Sequence, residues 1–383
     1  MGDVAHKMIA PAFALLLVTQ SSPPDPARAL EDAGRYREAE PILRRAIRDA
    51  GATADDAVAD AAERLADNLA KQARPREAEP YYRRAFEIRL ARHGAAHPAV
   101  ARSLSQLAGL AADAGRLDEA EALSARAVAI LTAAGADARL DLSRAQGNRA
   151  GILAAMGRSE DAYALYREAA ATLQRLGPKA QAEFAVALNN LGSHLFRMAG
   201  ATRVQAGFRR SFTLRQAVLS PPPPISAPAT GGSEPVDAML RRRLLFDAAM
   251  ALRMALGIRL SLLGEMHPDT ANSLNGLAAA ERALGRREEA EGLYRRALRI
   301  KMTMLPKGDR DRVIGAWSLA SVVAEDGARA GEARTLYRTA AAEALTAQGR
   351  HADYDRAASA ELRSYAPIFT GQVRAAWALT SRP

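Results

Sequence analysis

Few side chains in this sequence have the type and spacing that enzyme or metal chemistry requires. The chain has no cysteine, which excludes disulfides, thiolate zinc sites, iron–sulfur clusters and cysteine nucleophiles. Of its six histidines only His93 and His97 are four residues apart, and Gly94 and Pro98 place them in a loop. We therefore predict no metal site.

Catalytic motifs are missing from the sequence as well. It has no G-x-x-x-x-G-K-[ST] phosphate loop, no G-x-S-x-G nucleophile elbow and no H-E-x-x-H motif. The TGGS stretch at 230–233 lies between prolines and lacks the preceding strand that a phosphate cradle needs. Carboxylates are plentiful, but most stand at the starts of helical segments, where the helix dipole accounts for them. We predict a protein that is not an enzyme and uses no cofactor.

Pairs of amphipathic helices are the elements that would position any functional side chain. The clearest pair lies in residues 267–300, where apolar residues recur at steps of three and four and form one stripe on each helix. Gly285 ends the first helix. The first stripe contains Ala271, Leu274, Leu277, Ala278 and Leu284, and the second contains Ala290, Leu293, Tyr294, Ala297 and Ile300.

The second-helix pattern occurs eight times along the chain. Two small residues stand seven apart, at steps of 39 to 44 residues between copies, and a bulky residue follows the first small one by four in seven of the eight copies. Burial of each bulky side chain contributes about 1.5 to 3 kcal/mol, so we predict that these positions serve packing between helices. The first small residues are Ala39, Ala78, Ala120, Ala162, Val204, Ala248, Ala290 and Ala333, and the residues four positions later are Leu43, Tyr82, Ser124, Tyr166, Phe208, Leu252, Tyr294 and Tyr337.

The small residues seven apart, the bulky residue between them, the glycine in the turn and the period near 42 together resemble the tetratricopeptide repeat. The long period, the Leu-Asn pair at 274–275 and the His-Pro at 267–268 resemble the kinesin light chain type. The resemblance implies an all-α, right-handed α-solenoid of about eight helix pairs whose first helices line a concave side. It also implies a non-catalytic scaffold that binds a protein or peptide there.

The resemblance implies that particular positions on the first helices line the groove and contact the bound peptide. An asparagine amide both donates and accepts hydrogen bonds, which suits the backbone of an extended peptide, and arginines would favour an acidic partner. Alternatively, each asparagine bonds the adjacent repeat. The fourth repeat has Gly147 and Gly151 here, so its part of the groove is predicted to be bare. The candidates are Asn189, Ser193 and Arg197 in the fifth repeat and Asn272, Asn275 and Arg282 in the seventh.

Two other interpretations of the chain stay open. The net charge of +10 allows a basic surface that binds a polyanion or an anionic membrane. However, the arginine doublets at 44–45, 83–84, 209–210 and 295–296 occupy one position of the repeat, which is typical of a solvated face. The sequence therefore favours a protein partner over nucleic acid. The other alternative is a regulatory array for a separately encoded hydrolase.

The N-terminal and central segments depart from the repeat pattern. Residues 1–22 hold an apolar run, Met8 to Val18, that is too short to span a bilayer and fits a secretory signal peptide. This favours a periplasmic or secreted protein with no membrane span after signal removal; the alternative is a disordered extension of a cytoplasmic protein. Repeats one to five are predicted in 25–219 and repeats six to eight in 236–347. A proline- and glycine-rich linker or loop, 220–235, replaces the first helix of the sixth repeat.

Residues 348–383 are predicted to cap the array, because a solenoid exposes the apolar face of its last repeat. The pattern there predicts a helix bent at Pro367. The residues predicted on its packed side are Leu362, Tyr365, Phe369, Val373 and Trp377.

Overall fold

The computed structural model describes residues 25–32, 35–49, 55–72, 74–200, 236–348 and 365–380. Within these ranges there are fifteen α-helices and no strand, which confirms the all-α prediction. None of the described helices is long and apolar enough to cross a bilayer. The predicted signal peptide lies outside the described residues. The helices are α1 (Pro26–Asp32), α2 (Tyr36–Asp49), α3 (Asp56–Lys71), α4 (Pro75–His93), α5 (Pro98–Asp113), α6 (Leu117–Ala133), α7 (Arg139–Ala155), α8 (Ser159–Leu176), α9 (Gln181–Gly200), α10 (Val236–Leu263), α11 (Pro268–Ala283), α12 (Arg287–Met304), α13 (Arg310–Val323), α14 (Ala330–Gln348) and α15 (Ala366–Thr380).

The described helices pack in seven successive pairs, from α1 with α2 to α13 with α14, and each second helix also contacts the first helix of the next pair. This stacking makes an α-solenoid. The small residues predicted to face neighbouring helices are fully buried at Ala39, Ala78, Ala120, Ala162, Ala248, Ala290 and Ala333, and the bulky residues Tyr82, Tyr166, Tyr294 and Tyr337 are at most 6% exposed.

Local sequence sets where each pair starts and turns. His267 lies just before α11, and its Nδ1 accepts a hydrogen bond from the Asp269 amide at 3.1 Å, while Pro268 occupies the first turn, where no backbone N–H is needed. His97 caps α5 in the same way. At the end of α11, Gly285 has φ of 83°, and the Arg286 amide donates to the Glu281 carbonyl at 2.9 Å. The His-Pro pairs are therefore helix starts.

The helix α10 has a first-helix partner, contrary to the sequence-based prediction. It packs along α9 so closely that a Cβ added at Gly192 would lie 2.7 Å from Leu252 Cγ. In the structure α9 thus takes the place of the first helix expected for the sixth repeat. The linker at 220–235 and the predicted second helix of the fifth repeat, with Val204 and Phe208, lie outside the described residues.

A ladder of ion pairs connects successive second helices. Glu40 in α2 contacts Arg44 of its own helix at 2.8 Å and Arg74 of the next pair at 2.6 Å. Glu79 makes the same contacts with Arg83 and Arg116, and Glu291 makes them with Arg295 and Arg329. The hydrogen bond from Arg329 is the largest cause that lowers the pKa of Glu291 to about 2. The charge of the first arginine is therefore compensated in three of the four doublets, at Arg44, Arg83 and Arg295, which weakens the polyanion alternative. The doublet at 209–210 lies outside the described residues.

One buried contact between neighbouring pairs changes its chemistry along the array. Arg89 in α4 donates to the Ser103 hydroxyl of α5 at 2.8 Å. Arg259 donates to Ser273 at 2.7 Å across the equivalent junction of α10 and α11. The next junction places buried Lys301 against the backbone of Gly315. In each case a long basic side chain of a second helix lies against a small residue of the next first helix.

The terminal helix α15 packs on α14 in the place of a further first helix. It begins at Ala366, so Pro367 lies in its first turn and does not bend it. Tyr365, Ile368 and Ala375 are buried, whereas Val373 is 68% exposed. The prediction that Val373 lies on the packed side is therefore wrong. The helix begins at Ala366 instead of bending at Pro367, and this start determines which of its residues face α14. Leu362 and the side chain of Trp377 lie outside the described part of the chain.

A buried histidine between α8 and α9 predicts a pH effect on stability. Burial lowers the pKa of His194, and its Nε2 donates to the Ser159 carbonyl at 2.9 Å. The unfolded chain, with the ordinary pKa near 6.5, then binds the proton more readily than the folded chain. We expect Tm to fall as pH drops below about 6.5 and this fall to be smaller in His194→Gln. Thermal melts from pH 7.5 to 5 measure both, and equal pH profiles would contradict the assignment.

Candidate functional site: the concave groove

The first helices form the inner layer of the array. Among the described helices, the consecutive first helices α5, α7, α9, α11 and α13 approach one another more closely than consecutive second helices do. Stacked units bend towards the layer in which neighbours lie closer, so the first-helix side is concave. We call this surface the concave groove.

All six asparagines of the sequence lie on first helices. Asn68 is buried and structural: it donates to Glu31 at 3.2 Å and accepts from Gln72 at 2.8 Å. The other five are exposed or half-buried, and within the described residues their side chains have no hydrogen-bond partner. They are Asn148 in α7, Asn189 and Asn190 in α9, and Asn272 and Asn275 in α11.

The predicted groove arginines are already engaged. Arg282 donates from Nε to Glu325 of the next pair at 2.7 Å. Arg197 is exposed and lies beside the Tyr166 hydroxyl, whose pKa is raised by burial and lowered in part by this arginine. Ser193 is half-buried. The expected preference for an acidic partner therefore loses support at Arg282, because Glu325 already compensates its charge.

Two neighbouring pockets open in the groove where the sequence predicts a bare surface. The first lies between α7 and α9, has a volume of about 250 Å³, and is lined by Gly147, Asn148, Val186 and Asn190 among others. The second, of about 200 Å³, lies between α5 and α7 and shares Arg144 and Asn148 with the first. Arg144, Asn148 and Asn190 are not among the residues predicted from the sequence. A signal for Asn148 and Asn190 was present, since asparagine is a poor residue for a helix interior, whereas Arg144 had no such signal.

The charges around these pockets compensate one another. Arg144 contacts Asp141 at 3.1 Å and Glu183 at 2.5 Å. Arg102 lies 3.9 Å from Asp141. Two arginines thus face two carboxylates, so this stretch of the groove carries no net charge.

A larger cleft lies at the C-terminal end of the array. It has a volume of about 810 Å³ between α14, α15 and the end of α11, and its lining includes Arg282, Glu325, Tyr337 and Arg374. A Cβ added at Gly371 would lie 2.4 Å from the Tyr337 ring, so a glycine is required where α15 crosses this tyrosine. Among the described residues, no group of three histidine, aspartate or glutamate side chains is arranged to hold a metal ion.

Comparison with known proteins gives a family and several similar folds. Residues 57–133 and 238–302 match the family model of the tetratricopeptide repeat. No curated protein matches the chain. The chain is similar to the crystal structure of BtubC (BKLC) from P. vanneervenii, with 22% identity over 73% of this chain and 92% of that one and a TM-score of 0.45.

Two further solved structures are similar at the same level. One is the putative kinesin light chain TPR-like repeat protein of Podosopora anserina, with 19% identity, 67% of this chain and 99% of that one covered, and a TM-score of 0.45. The other is the STAND protein PH0952 from Pyrococcus horikoshii, which has a tetratricopeptide repeat sensor; identity is 14%, coverage 81% of this chain and 40% of that one, and the TM-score 0.49. With the helix pairs described above, the family match identifies residues 57–133 and 238–302 as tetratricopeptide repeats.

Proposed function

We propose that this protein is a non-catalytic scaffold that binds an extended peptide segment of a partner protein along the concave groove. Tetratricopeptide repeats indicate a protein–protein interaction scaffold. The location in the groove and the peptide form of the ligand are the parts that we propose.

The observation that carries the proposal is the set of five unengaged asparagines on the first helices. Asparagine in a helix interior costs up to about 0.7 kcal/mol relative to alanine. Helix stability therefore does not explain why these residues stand there. A side-chain amide can donate to a peptide carbonyl and accept from a peptide N–H at once, so a row of them matches the repeating polar groups of an extended backbone. Asn275 is the exception, because its Oδ1 is buried and cannot accept from a peptide.

The charge distribution argues for this function over binding of a polyanion. Arginines at the repeated positions 44, 83 and 295 are held by glutamates of the ladder, and Arg144 and Arg282 in the groove are each paired with carboxylates. A polyanion would have to displace these carboxylates. A peptide backbone does not, because it binds through hydrogen bonds to neutral amides.

Replacing Asn148, Asn190 and Asn272 together with alanine is expected to leave the fold intact, with Tm unchanged or raised because alanine is the better helix former. The same variant is expected to lose its partners. The measurement is affinity purification from the source cell followed by quantitative mass spectrometry, with circular dichroism melts on the same proteins.

The matched control replaces three exposed second-helix residues, Thr132, Thr303 and Thr335, with alanine. Each hydroxyl donates only to a carbonyl four residues earlier in its own helix. This variant is expected to keep all partners. The proposal fails if the asparagine variant and the threonine variant retain the same proteins in the same amounts.

A further inference from the structure

We propose that the pocket between α7 and α9, here called the Gly147 pocket, selects partner peptides by an aliphatic side chain with uncharged neighbours. This inference rests on the proposed function of the groove and specifies the chemistry of its ligand. It departs from the acidic partner that the groove arginines predict.

The walls of the Gly147 pocket are apolar. Leu173 at the end of α8 and Ala182, Val186 and Ala187 of α9 line it. Val186 is 48% exposed, whereas the equivalent residues of α3, α5, α7 and α11 are polar and that of α13 is the half-buried Ile314. The polar residues are Asp60, Arg102, Arg144 and Asn272. An exposed valine in place of these polar residues gives the groove a local apolar surface that a guest side chain would remove from water.

The floor of the pocket exists because residue 147 is glycine. A Cβ added there would meet no atom within 4 Å, so any larger side chain would project into the open volume and reduce it. The volume of about 250 Å³ is below the roughly 300 to 1,000 Å³ of pockets that enclose whole small-molecule ligands. It therefore fits one side chain of a larger partner better than a free metabolite.

The rim of the pocket sets both the backbone contacts and the charge preference. The amides of Asn148 and Asn190 stand on its two sides and have no partner among the described residues. Arg144 and Glu183 also lie at the rim and are paired with each other at 2.5 Å. A charged guest would lose hydration without finding an uncompensated charge, whereas an aliphatic guest loses only contact with water.

The test is selection of a randomised peptide library, displayed on phage, against the full chain and against Gly147→Leu. Leucine should fill the pocket without disturbing the helix, because the site is open and leucine has the higher helix propensity. The matched control is Gly109→Leu on the neighbouring helix α5. A Cβ added at Gly109 also meets nothing within 4 Å, and Gly109 lines neither groove pocket.

Peptides selected by the unmodified chain are expected to share one aliphatic position without adjacent charges. Their affinity, measured by fluorescence polarisation, is expected to fall about 10- to 100-fold in Gly147→Leu and to stay unchanged in Gly109→Leu. A shared acidic residue, or equal affinity for Gly147→Leu, would overturn the pocket assignment. In that case, loss of binding of the same peptides by the variant with Asn148, Asn190 and Asn272 replaced would still support the groove function. Absence of any enriched peptide would overturn both proposals.

Discussion

Replacing Glu343 with alanine is expected to lower the free energy of unfolding by about 3 to 5 kcal/mol. Glu343 in α14 and Arg312 in α13 are 8% and 7% exposed, and Arg312 Nη2 lies 2.6 Å from Glu343 Oε1. The Gly308 amide donates to the other carboxylate oxygen at 2.5 Å. Without the carboxylate, the buried Arg312 guanidinium keeps the carbonyls of Met302 and Leu305 but loses its counter-charge. The Gly308 amide loses this hydrogen bond, and with it the loop before α13 loses an attachment to α14.

The double variant Arg312→Met with Glu343→Leu separates the cost of an unpaired charge from the value of the pair. It removes both charges and fills similar volumes with apolar groups, so we expect it to be much closer to the wild type than Glu343→Ala is. Denaturant midpoints and Tm values of the three proteins measure the difference. If the single variant were as stable as the double variant, the carboxylate would not be holding Arg312 in the way the structure places it.

The packing of the repeats is predictable from the sequence because its determinants are local. A small residue, a bulky residue four later and a second small residue three beyond that lie on one face of a single helix, so their spacing already fixes which face is buried. Ala290 and Tyr294 show this: 0% and 4% exposed, they lie where the stripe places them. The helix starts at His97 and His267 and the turn at Gly285 are equally local.

The pairing of α9 with α10 could not be derived in the same way. The repeat period places a second helix directly after α9 and leaves α10 without a partner, whereas the structure joins two helices separated by residues 201–235. The local pattern carries no information about which helices far apart in the sequence pack together. The tight approach of Gly192 to Leu252 is visible only once the helices are placed.

The groove pockets were missed for a related reason. Asn272 and Arg282 are predicted from their position on one helix, but a pocket between α7 and α9 depends on the distance between helices about 40 residues apart in sequence. Whether an arginine is free to bind a ligand depends on the neighbouring repeat as well. Arg282 reaches Glu325, which is 43 residues away. The periodicity along one helix predicts which of its faces is buried. The packing of neighbouring repeats determines which side chains remain available to a partner.

Ala290→Phe is expected to lower the free energy of unfolding by about 1 to 3 kcal/mol, and Ala120→Phe by a similar amount. Both alanines are fully buried, in α12 and α6, against neighbouring helices. An aromatic ring there forces the helices apart or distorts rotamers, because the packed layers leave no space for six further carbon atoms. Denaturant unfolding of each variant measures the loss.

Arg295→Ala on the same helix is the matched control, with an expected loss below about 1 kcal/mol. Arg295 is 43% exposed and contacts Glu291 and Glu332. Removing it leaves neither carboxylate alone, since Arg329 lies 2.7 Å from Glu291 and 2.8 Å from Glu332. The two substitutions therefore compare a buried packing position, Ala290, with an exposed position of the ion-pair ladder, Arg295, five residues further along the same helix. A larger loss for Arg295→Ala than for Ala290→Phe would mean that α12 is turned the other way, and the concave groove would then have to be assigned to a different face.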